Sequence, residues 1–401
     1  MALEGMSLAA RARVACAVLA AMLSLAAAPP PAAPIAHERP SDMLGWTPEQ
    51  QALGFRSIGR LFTTHTVRSG DHVRFLPKSR KSLDIRFAVG ATSYSVASYM
   101  AAQRISGLLV IKDGRILLER YGLGRRPRDT WTGFSVTKSV TSILVGAALK
   151  DGAIKSLDDP VTRYLPEMKG SAYDDVTVRD LITMTSGVRW TEAYGDPNSD
   201  VVRIGSWKGE PGVDPIVSYM RTLPRVDPPG KVFHYKSGEA DLVAVLVARA
   251  TGKPLADYLS QKIWRPFGME RNGVWITDAA GVERGGCCLS MSLRDYARLG
   301  LFMLNADGPL ERRVLPEGWI AQSTSPQVPT GRGDTSYGYM WWIRPGEFQA
   351  FGIFGQMIDV TPAQHLVTVI NADWPSTGDR DLAATRQAFL DAVRAAFAKS
   401  H

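Results

Sequence analysis

The chain has little cysteine, which limits how it can be stabilised. Three of its 401 residues are cysteine, and two of them, Cys287 and Cys288, are adjacent. Neighbouring cysteines rarely form a bridge, so we expect these two to be small buried side chains. Without disulfides the protein must rely on its hydrophobic core, and a chain of this length can build one.

Signatures of several common enzyme classes are also missing. The sequence has no Gly-x-Ser-x-Gly elbow, which argues against an α/β-hydrolase, and no Walker loop, dinucleotide fingerprint or His-Glu-x-x-His motif. Its six histidines are dispersed, so a metal site has no support. We therefore expect no metal and no cofactor.

Charge gives no sign of a nucleic-acid partner. The net charge is +8, but the basic residues are scattered, and no Lys/Arg run is interleaved with aromatic residues as a binding stripe requires. With 45% hydrophobic and 21% charged residues, the composition is that of an ordinary globular protein with a basic surface.

Long apolar runs are absent except near the N-terminus. Arg11 and Arg13 precede an apolar stretch from Val14 to Ala28, which leads into three prolines. This pattern predicts a secretory signal peptide over residues 1–28 and export to the periplasm or outside the cell. A retained anchor is the alternative, although about 15 apolar residues are few for a membrane span. We expect no stable membrane partner once the signal is removed.

The order of predicted elements indicates an α+β fold. Residues 29–60 are proline-rich and irregular, as in a tether or a surface strap. Residues 107–121 predict a hairpin around Asp113-Gly114, and strands return between 337 and 371 before a final helix over 381–398. One antiparallel sheet, from residues 61–157 and 331–401, is thus interrupted by a mainly helical domain over 158–330. The cleft between the two parts is the expected ligand site.

Ser135 and Lys138 are the most informative residues of the chain. The apolar residues from Val140 onward recur at helical spacing, so Ser135 lies at or near the start of a buried helix. Residues three apart share a helical face, so the Lys138 amine can reach the Ser135 hydroxyl. A lysine there is partly desolvated, which disfavours its charged form and lets it act as the base that activates serine. The alternative is that Ser135 caps the helix and Lys138 points to solvent.

Several stretches in the same order make the interpretation more specific. The hairpin, the Ser-x-x-Lys helix, the helical insert and the returning strands resemble the serine β-lactamase and penicillin-binding-protein superfamily. Four blocks look like its class C-like branch: 158–166, 177–187, 263–269 and 295–300. Within that branch, residues 190–200 are most similar to the 6-aminohexanoate-dimer hydrolases and their esterase relatives. The resemblance covers roughly residues 103–397 and implies a β-lactamase/transpeptidase-like fold.

The resemblance also implies roles for two tyrosines. Tyr235, in Tyr-Lys-Ser237, would share proton transfer with Lys138, and a phenol beside an ammonium has its anionic form favoured. Its alternative role is a half-buried ring whose hydroxyl binds a carbonyl. Tyr194 would contact the substrate and hydrogen-bond the leaving group, or else it is a loop aromatic that covers the core. For Trp341 and Trp342, core packing is the expected role, and at most one lines the cleft.

The third family element, normally Lys-Thr-Gly or His-x-Gly, corresponds to Ile353-Phe-Gly355-Gln356. Gly355 permits close backbone approach, and the Gln356 N–H, to within a residue or two, would join the Ser135 N–H as an oxyanion hole. Ile353 stands where the family has a cationic or imidazole side chain. This departure disfavours a carboxylate-bearing β-lactam and favours an amide or ester substrate.

These observations predict an exported serine hydrolase that cleaves a small ester or amide through an acyl-enzyme. Two alternatives stay open. One is a D,D-peptidase or β-lactamase of the same fold. The other is a non-catalytic member that only binds a ligand, although such a protein would be expected to have lost Ser135, Lys138 or Tyr235.

Overall fold

The structure is a computed structural model that describes residues 40–305 and 308–398. The predicted signal peptide, residues 1–28, and the first part of the proline-rich segment lie outside these ranges, so export stays a prediction. Within the described ranges, no helix combines the length and the apolar character needed to cross a bilayer.

Strands occur in both halves of the described chain, and they form three sheets. In chain order they are β1 Thr64–Val67, β2 Arg86–Val89, β3 Thr92–Ser95, β4 Ile105–Lys112, β5 Arg115–Tyr121, β6 Thr130–Thr132, β7 Gly273–Ile276, β8 Leu289–Ser292, β9 Val328–Arg332, β10 Thr335–Tyr337, β11 Trp342–Arg344, β12 Glu347–Phe351, β13 Met357–Thr361 and β14 Leu366–Ala372.

The largest sheet joins strands from distant parts of the chain. Its order is β5-β4-β14-β13-β12-β11-β10-β9, and every neighbouring pair is antiparallel. The central ladder pairs β14 with β4 from Leu366↔Lys112 onward. Both strands are buried along nearly their whole length, since the sheet is covered by helices on both faces. The predicted antiparallel sheet from the two ends of the chain is confirmed.

The hairpin between β4 and β5 follows from its turn residues. Asp113 and Gly114 have φ values of +50° and +74°. A two-residue turn with both φ angles positive matches the twist of the flanking strands, and Asp-Gly is one of the few pairs that adopts it readily.

A second sheet was not anticipated. Its order is β1-β7-β8-β6, and it draws β7 and β8 from the stretch predicted to be mainly helical. β6 leads directly to the Ser135 turn, and β8 pairs with β6 through Trp131↔Met291. This sheet therefore connects the segment around Cys287 to the segment around Ser135.

Four of the α-helices in the described chain have 12 to 16 residues, and the others are shorter. Two 15-residue helices, Val136–Lys150 and Ser237–Thr251, pack against each other in the core, and both are buried over most of their length. The α-helices are Pro48–Gly54, Ile58–Leu61, Val96–Ala102, Val136–Lys150, Val178–Ile182, Asp200–Arg203, Pro215–Met220, Ser237–Thr251, Leu255–Leu259, Arg265–Phe267, Leu293–Leu304, Pro309–Val314, Trp319–Ser323 and Arg380–Ala395. Short 3-10 or π segments are Pro40–Gly45, Val161–Arg163, Pro166–Met168, Ile204–Ser206, Ser260–Trp264 and Pro362–Gln364.

Residues 40–61 differ from the irregular strap that their prolines suggested. Pro40 and Pro48 begin helical turns, because proline is well suited to the first position of a helix. Phe55 is fully buried, with its ring 4.9 Å from that of Phe134 and 5.3 Å from that of Phe354. This N-terminal segment is part of the core.

The expectation of two unbridged cysteines is wrong. Cys287 and Cys288 form a disulfide, with their Cα atoms 3.5 Å apart. The backbone explains how neighbours can meet: Cys288 has a φ of +115°, far from the extended conformation that would point successive side chains to opposite faces. Cys288 is fully buried in the cluster that contains Phe55 and Phe134.

Replacement of Phe55 tests the importance of this cluster. We expect Phe55→Ala to lower the free energy of unfolding by about 3–5 kcal/mol, because it leaves a cavity among packed rings. Urea unfolding followed by tryptophan fluorescence measures the loss. Leu53→Ala is the matched control: this side chain is 58% exposed, so the change should stay within about 0.5 kcal/mol. Equal losses in the two variants would contradict a specific role for the ring.

Candidate active site

A tight turn presents Ser135 at the head of the helix Val136–Lys150. The preceding Phe134 has a φ of +44°, a left-handed conformation that is rare for a bulky residue. The rings of Phe55 and Phe354 hold the Phe134 ring at 4.9 Å and 5.0 Å between centroids. Ser135 occupies the N-cap position, but its side chain accepts no capping hydrogen bond. The hydroxyl is therefore free for chemistry, and the capping interpretation does not hold.

Lys138 points inward and meets three oxygens. The residue is only 1% exposed. Its Nζ donates to Ser135 Oγ at 2.9 Å, to Ser237 Oγ at 2.9 Å and to the Gly286 carbonyl at 2.8 Å. Within the ranges that the structure describes, no carboxylate pairs directly with this amine. An ammonium group has three N–H donors, and each of them finds an acceptor here. A neutral amine in the same place has a lone pair that can accept the proton of the Ser135 hydroxyl.

Glu192 continues this network, and sequence reasoning missed it. Its carboxylate accepts hydrogen bonds from the Ser237 hydroxyl and from the Ser237 N–H, the latter at 3.1 Å. Trp190 Nε1 and the Tyr194 hydroxyl also donate to it. A negative charge thus lies one hydroxyl away from Lys138. The signal was present in the sequence, since Glu192 stands within the block 190–200 that carried the resemblance.

Tyr194 lies at the site and is held in its protonated form. Its hydroxyl donates to Glu192 Oε1 at 2.6 Å. Burial, followed by the negative charge of Glu192, raises the pKa of Tyr194 well above its ordinary value. The side chain lines the cleft beside Ser135. At this position Tyr194 can contact a substrate, which favours the substrate-contacting role over that of a loop aromatic covering the core.

Tyr235 is near Lys138 through its ring rather than its hydroxyl. The Lys138 Nζ lies 5.0 Å from the ring centroid, within the range of a cation–π contact. The ring stacks on Trp342 with centroids 5.6 Å apart, and both side chains line the cleft. Trp341 is fully buried instead, so one tryptophan of the pair faces the cleft. Within the described residues, the Tyr235 hydroxyl has no hydrogen-bond partner, which leaves it available to a substrate.

The turn between β12 and β13 places Ile353, not Gln356, beside the serine. Gln356 is fully buried, and its side chain donates to the Ala372 carbonyl at 2.8 Å and accepts from the Phe354 N–H at 3.2 Å. Gly352 N–H closes the turn onto the Gln356 carbonyl at 2.8 Å. Gly355 supports the turn with a φ of +89°. Ile353 lines the cleft together with Ser135, whereas the fully buried Gln356 does not, so we assign the second oxyanion donor to the N–H of Ile353, three residues before the predicted position.

Two amides remain as candidates for an oxyanion hole. In the part of the chain that the structure describes, the backbone N–H groups of Ser135 and Ile353 have no hydrogen-bond partner. Both residues line the same cleft. Pairs of unpartnered amides next to a nucleophile are the usual donors to a developing oxyanion.

Ser135 stands where two hollows meet. The larger cleft has a volume of about 640 Å³ and is lined by Tyr194, Tyr235, Trp342 and Ile353 among others. A smaller hollow of about 70 Å³ lies between Ser135, Ser237, Gly286 and Cys287. A nucleophile at such a junction can have the two halves of a substrate on either side of it.

Comparisons with known proteins identify the family of the chain. A family model described as Beta-lactamase matches residues 95–392. The 6-aminohexanoate-dimer hydrolase of Paenarthrobacter ureafaciens is 31% identical over 288 residues, which cover 68% of this chain and 73% of that protein. The esterase EstB of Burkholderia gladioli is 32% identical over 181 residues, covering 41% of this chain and 45% of that protein.

A solved structure shows the same fold. It is from Bacillus anthracis and is described only provisionally as a 6-aminohexanoate-dimer hydrolase. It superposes with a TM-score of 0.76 at 21% identity and covers 85% of this chain and 93% of its own. The resemblance stated from the sequence is confirmed.

Glu192→Gln tests whether the buried carboxylate supports the serine. The variant keeps the shape of the side chain and removes its charge. Its NH2 group replaces one of the two oxygens that now accept hydrogen bonds, so this group faces N–H or O–H donors instead of pairing with them. We expect the rate at which a fluorophosphonate labels Ser135 to fall about 10- to 100-fold. The control is Glu210→Gln, an exposed carboxylate outside the site. A variant that melts at the wild-type temperature and is labelled at the wild-type rate would show that Glu192 does not support the nucleophile.

Proposed function

Because the chain belongs to the beta-lactamase family, we propose that it is a serine hydrolase that cleaves a small ester or amide through an acyl-enzyme intermediate. The observation that carries this proposal is the 2.9 Å hydrogen bond between Lys138 Nζ and Ser135 Oγ at the wall of a substrate-sized cleft. A hydroxyl needs a nearby base to become a nucleophile, and this amine is the nearest one to it.

In the acylation step Ser135 Oγ attacks the substrate carbonyl, and Lys138 accepts its proton. The negative charge that develops on the carbonyl oxygen is bound by the N–H groups of Ser135 and Ile353. Ser237 and the Gly286 carbonyl keep the Lys138 nitrogen in place while it carries the additional proton. The charge of Glu192, relayed through Ser237, stabilises the resulting ammonium.

The second half of the reaction returns the proton. As the carbon–oxygen or carbon–nitrogen bond breaks, the leaving group takes the proton that Lys138 accepted from Ser135. Tyr235 lines the same cleft, and its hydroxyl, which has no partner within the described residues, can orient the leaving group. The Tyr194 hydroxyl donates its hydrogen to Glu192, so its oxygen can accept a hydrogen bond from an N–H or O–H of the leaving group. In deacylation, Lys138 accepts a proton from a water molecule that attacks the acyl-enzyme carbonyl. Lys138 then returns this proton to Ser135 Oγ as the acyl group leaves as the acid.

The environment of Ile353 favours an ordinary ester or amide over a β-lactam. An apolar side chain lines the cleft where the related penicillin-recognising enzymes carry a cation or imidazole. The relatives include, by name, an esterase and a 6-aminohexanoate-dimer hydrolase, and these names support the proposed substrate class. Nitrocefin and fluorescent penicillin test the alternative, since rapid turnover or durable labelling at Ser135 would favour a β-lactamase or D,D-peptidase.

Ser135→Ala is the direct test of the proposed activity. We expect hydrolysis of p-nitrophenyl butyrate to fall to the background rate, because the variant has no nucleophile, while the melting temperature stays near that of the wild type. Release of p-nitrophenol at 405 nm measures the rate.

The matched control is Ser142→Ala in the same helix. Ser142 is fully buried, and its hydroxyl has no partner within the described chain, so its loss should change neither activity nor folding. Turnover that persists in the Ser135 variant would refute the assignment of the nucleophile.

A further inference from the structure

The bridge between Cys287 and Cys288 lies directly beside the proposed nucleophile. Cys287 is partly exposed and lines the small hollow of about 70 Å³ together with Ser135 and Gly286. Cys288 is fully buried in the cluster of rings behind the Ser135 turn. The stretch 285–288 is therefore a wall of the active site, and one residue of the bridge is accessible from the hollow.

The backbone of this wall is bonded to the helix that carries the base. The Gly286 carbonyl accepts from Lys138 Nζ at 2.8 Å. The N–H groups of Cys288 and Leu289 both donate to Thr137 Oγ1, at 3.1 Å and 3.0 Å. A change in the conformation of this wall therefore changes the surroundings of the amine.

The peptide group that meets Lys138 has little else to fix its direction. It joins Gly286 to Cys287, and within the described chain its one other hydrogen bond runs from the Cys287 N–H to the Arg284 carbonyl, at 3.4 Å. The short bond from the Gly286 N–H to Asp241, at 2.8 Å, holds the preceding peptide group instead. The direction of the Gly286 carbonyl therefore depends on the next two residues, which form the bridge.

The bridge accompanies an uncommon backbone conformation. Cys288 has a φ of +115°, which residues with a Cβ adopt rarely and only where their surroundings impose it. The strand β8 begins at the next residue and is held by its pairing with β6 and β7. A rotation of Cys288 toward negative φ therefore moves residues 285–287, and with them the Gly286 carbonyl, rather than the sheet.

A bridge between neighbours is poorly suited to stabilising the whole protein. The stabilisation by a disulfide grows with the length of the loop that it closes, and adjacent cysteines close the shortest loop possible. The effect of this bridge is therefore expected to be local, on the wall that contains it.

We propose that the Cys287–Cys288 bridge is a positioning element for Lys138 and a redox switch for the reaction at Ser135. In the oxidised protein the bridge keeps the Gly286 carbonyl against the amine. Once the bridge is reduced, Cys288 relaxes to negative φ and the carbonyl turns away, so the base loses one of its three acceptors. The loss of turnover rests on the proposed function, but the release of the wall does not.

The reductant is a dithiol that enters from the hollow. One of its thiolates attacks the Cys287 sulfur, and the sulfur–sulfur bond breaks so that Cys288 leaves as the thiol. The second thiol then attacks the mixed disulfide and releases Cys287. Two electrons and two protons pass to the protein, and the dithiol becomes a cyclic disulfide. The competing explanation is an inert bridge that only packs in the core.

Reduction of the wild-type protein tests the switch without any substitution. Dithiothreitol is added and then removed by gel filtration under argon, because thiols themselves cleave p-nitrophenyl esters. Alkylation with iodoacetamide followed by mass spectrometry should count two more thiols than in the oxidised protein. We expect kcat for p-nitrophenyl butyrate and the rate of fluorophosphonate labelling to fall about 10- to 100-fold, with KM unchanged. Oxidised glutathione should restore both rates.

Cysteine variants separate the bridge from other effects of the reductant. The double variant Cys287→Ala/Cys288→Ala should have the low kcat of the reduced protein and no response to dithiothreitol. The matched control is Cys16→Ser, which removes the third cysteine of the chain and should respond like the wild type. The melting temperatures of both variants should stay near that of the oxidised wild type, because the bridge closes so short a loop.

Hydrogen exchange of the Ser135→Ala protein gives a measurement that does not depend on turnover. Reduction should speed the exchange of the backbone N–H groups in residues 285–289, while the helix Ser237–Thr251 keeps its protection. A bridge that merely stabilises the fold would alter both regions together.

Three results would overturn the switch. They are a bridge that dithiothreitol cannot open in the folded protein, a reduced protein with two new thiols and an unchanged kcat, and a loss of kcat that is matched by a lower melting temperature and faster exchange throughout the chain. The last result would leave the bridge with a structural role only.

The two proposals fail in different ways. If the oxidised wild type hydrolyses no ester and resists fluorophosphonate, the hydrolase proposal fails, and faster exchange of residues 285–289 on reduction would still show that the bridge holds the wall. If the oxidised and reduced proteins hydrolyse p-nitrophenyl butyrate equally well through Ser135, the switch fails and the hydrolase proposal stands.

Discussion

The three hydrogen bonds of the Lys138 amine are the interaction on which the site depends. They join oxygens from the nucleophile turn, from the start of the helix Ser237–Thr251 and from the loop before β8. A buried amine tolerates its position only while such acceptors surround it. The structure supplies further support for two of them: Glu192 holds Ser237, and Asp241 accepts from the Gly286 N–H at 2.8 Å. The base is thus positioned by segments that meet only in the folded chain.

Much of the fold could be predicted from local patterns. The Asp113-Gly114 turn fixed one hairpin, helical periodicity located the helix after Ser135, and alternating apolar runs predicted the returning strands. The three-residue spacing of Ser135 and Lys138 sufficed to place amine and hydroxyl together, because helical geometry alone brings them within reach. These features share one property: each depends on residues close in sequence.

What could not be predicted depends on tertiary contacts. The oxyanion donor was assigned to Gln356 because the sequence does not show how the turn after β12 folds, and only the structure shows that Ile353 lines the cleft while Gln356 is buried. Glu192 was missed because a single acidic residue in a loop shows no partner until Ser237 is brought beside it. The Cys287–Cys288 bridge requires a left-handed backbone that composition does not reveal. The burial of Phe55 could not be predicted for a similar reason, since the rings that pack against it belong to distant segments.

The pairing of β4 with β14 has a consequence for how the protein reaches this state. The Ser106 hydroxyl on β4 binds the carbonyl of Asn371, 265 residues further along the chain, so the middle of the sheet cannot close until nearly all of the chain has emerged from the ribosome. Contacts of such long range slow folding, because loop entropy must be lost before they form. In the meantime the apolar strands β4 and β5 have an open edge, which is prone to aggregate. A chaperone that holds the nascent N-terminal half would therefore be expected to raise the yield of folded protein.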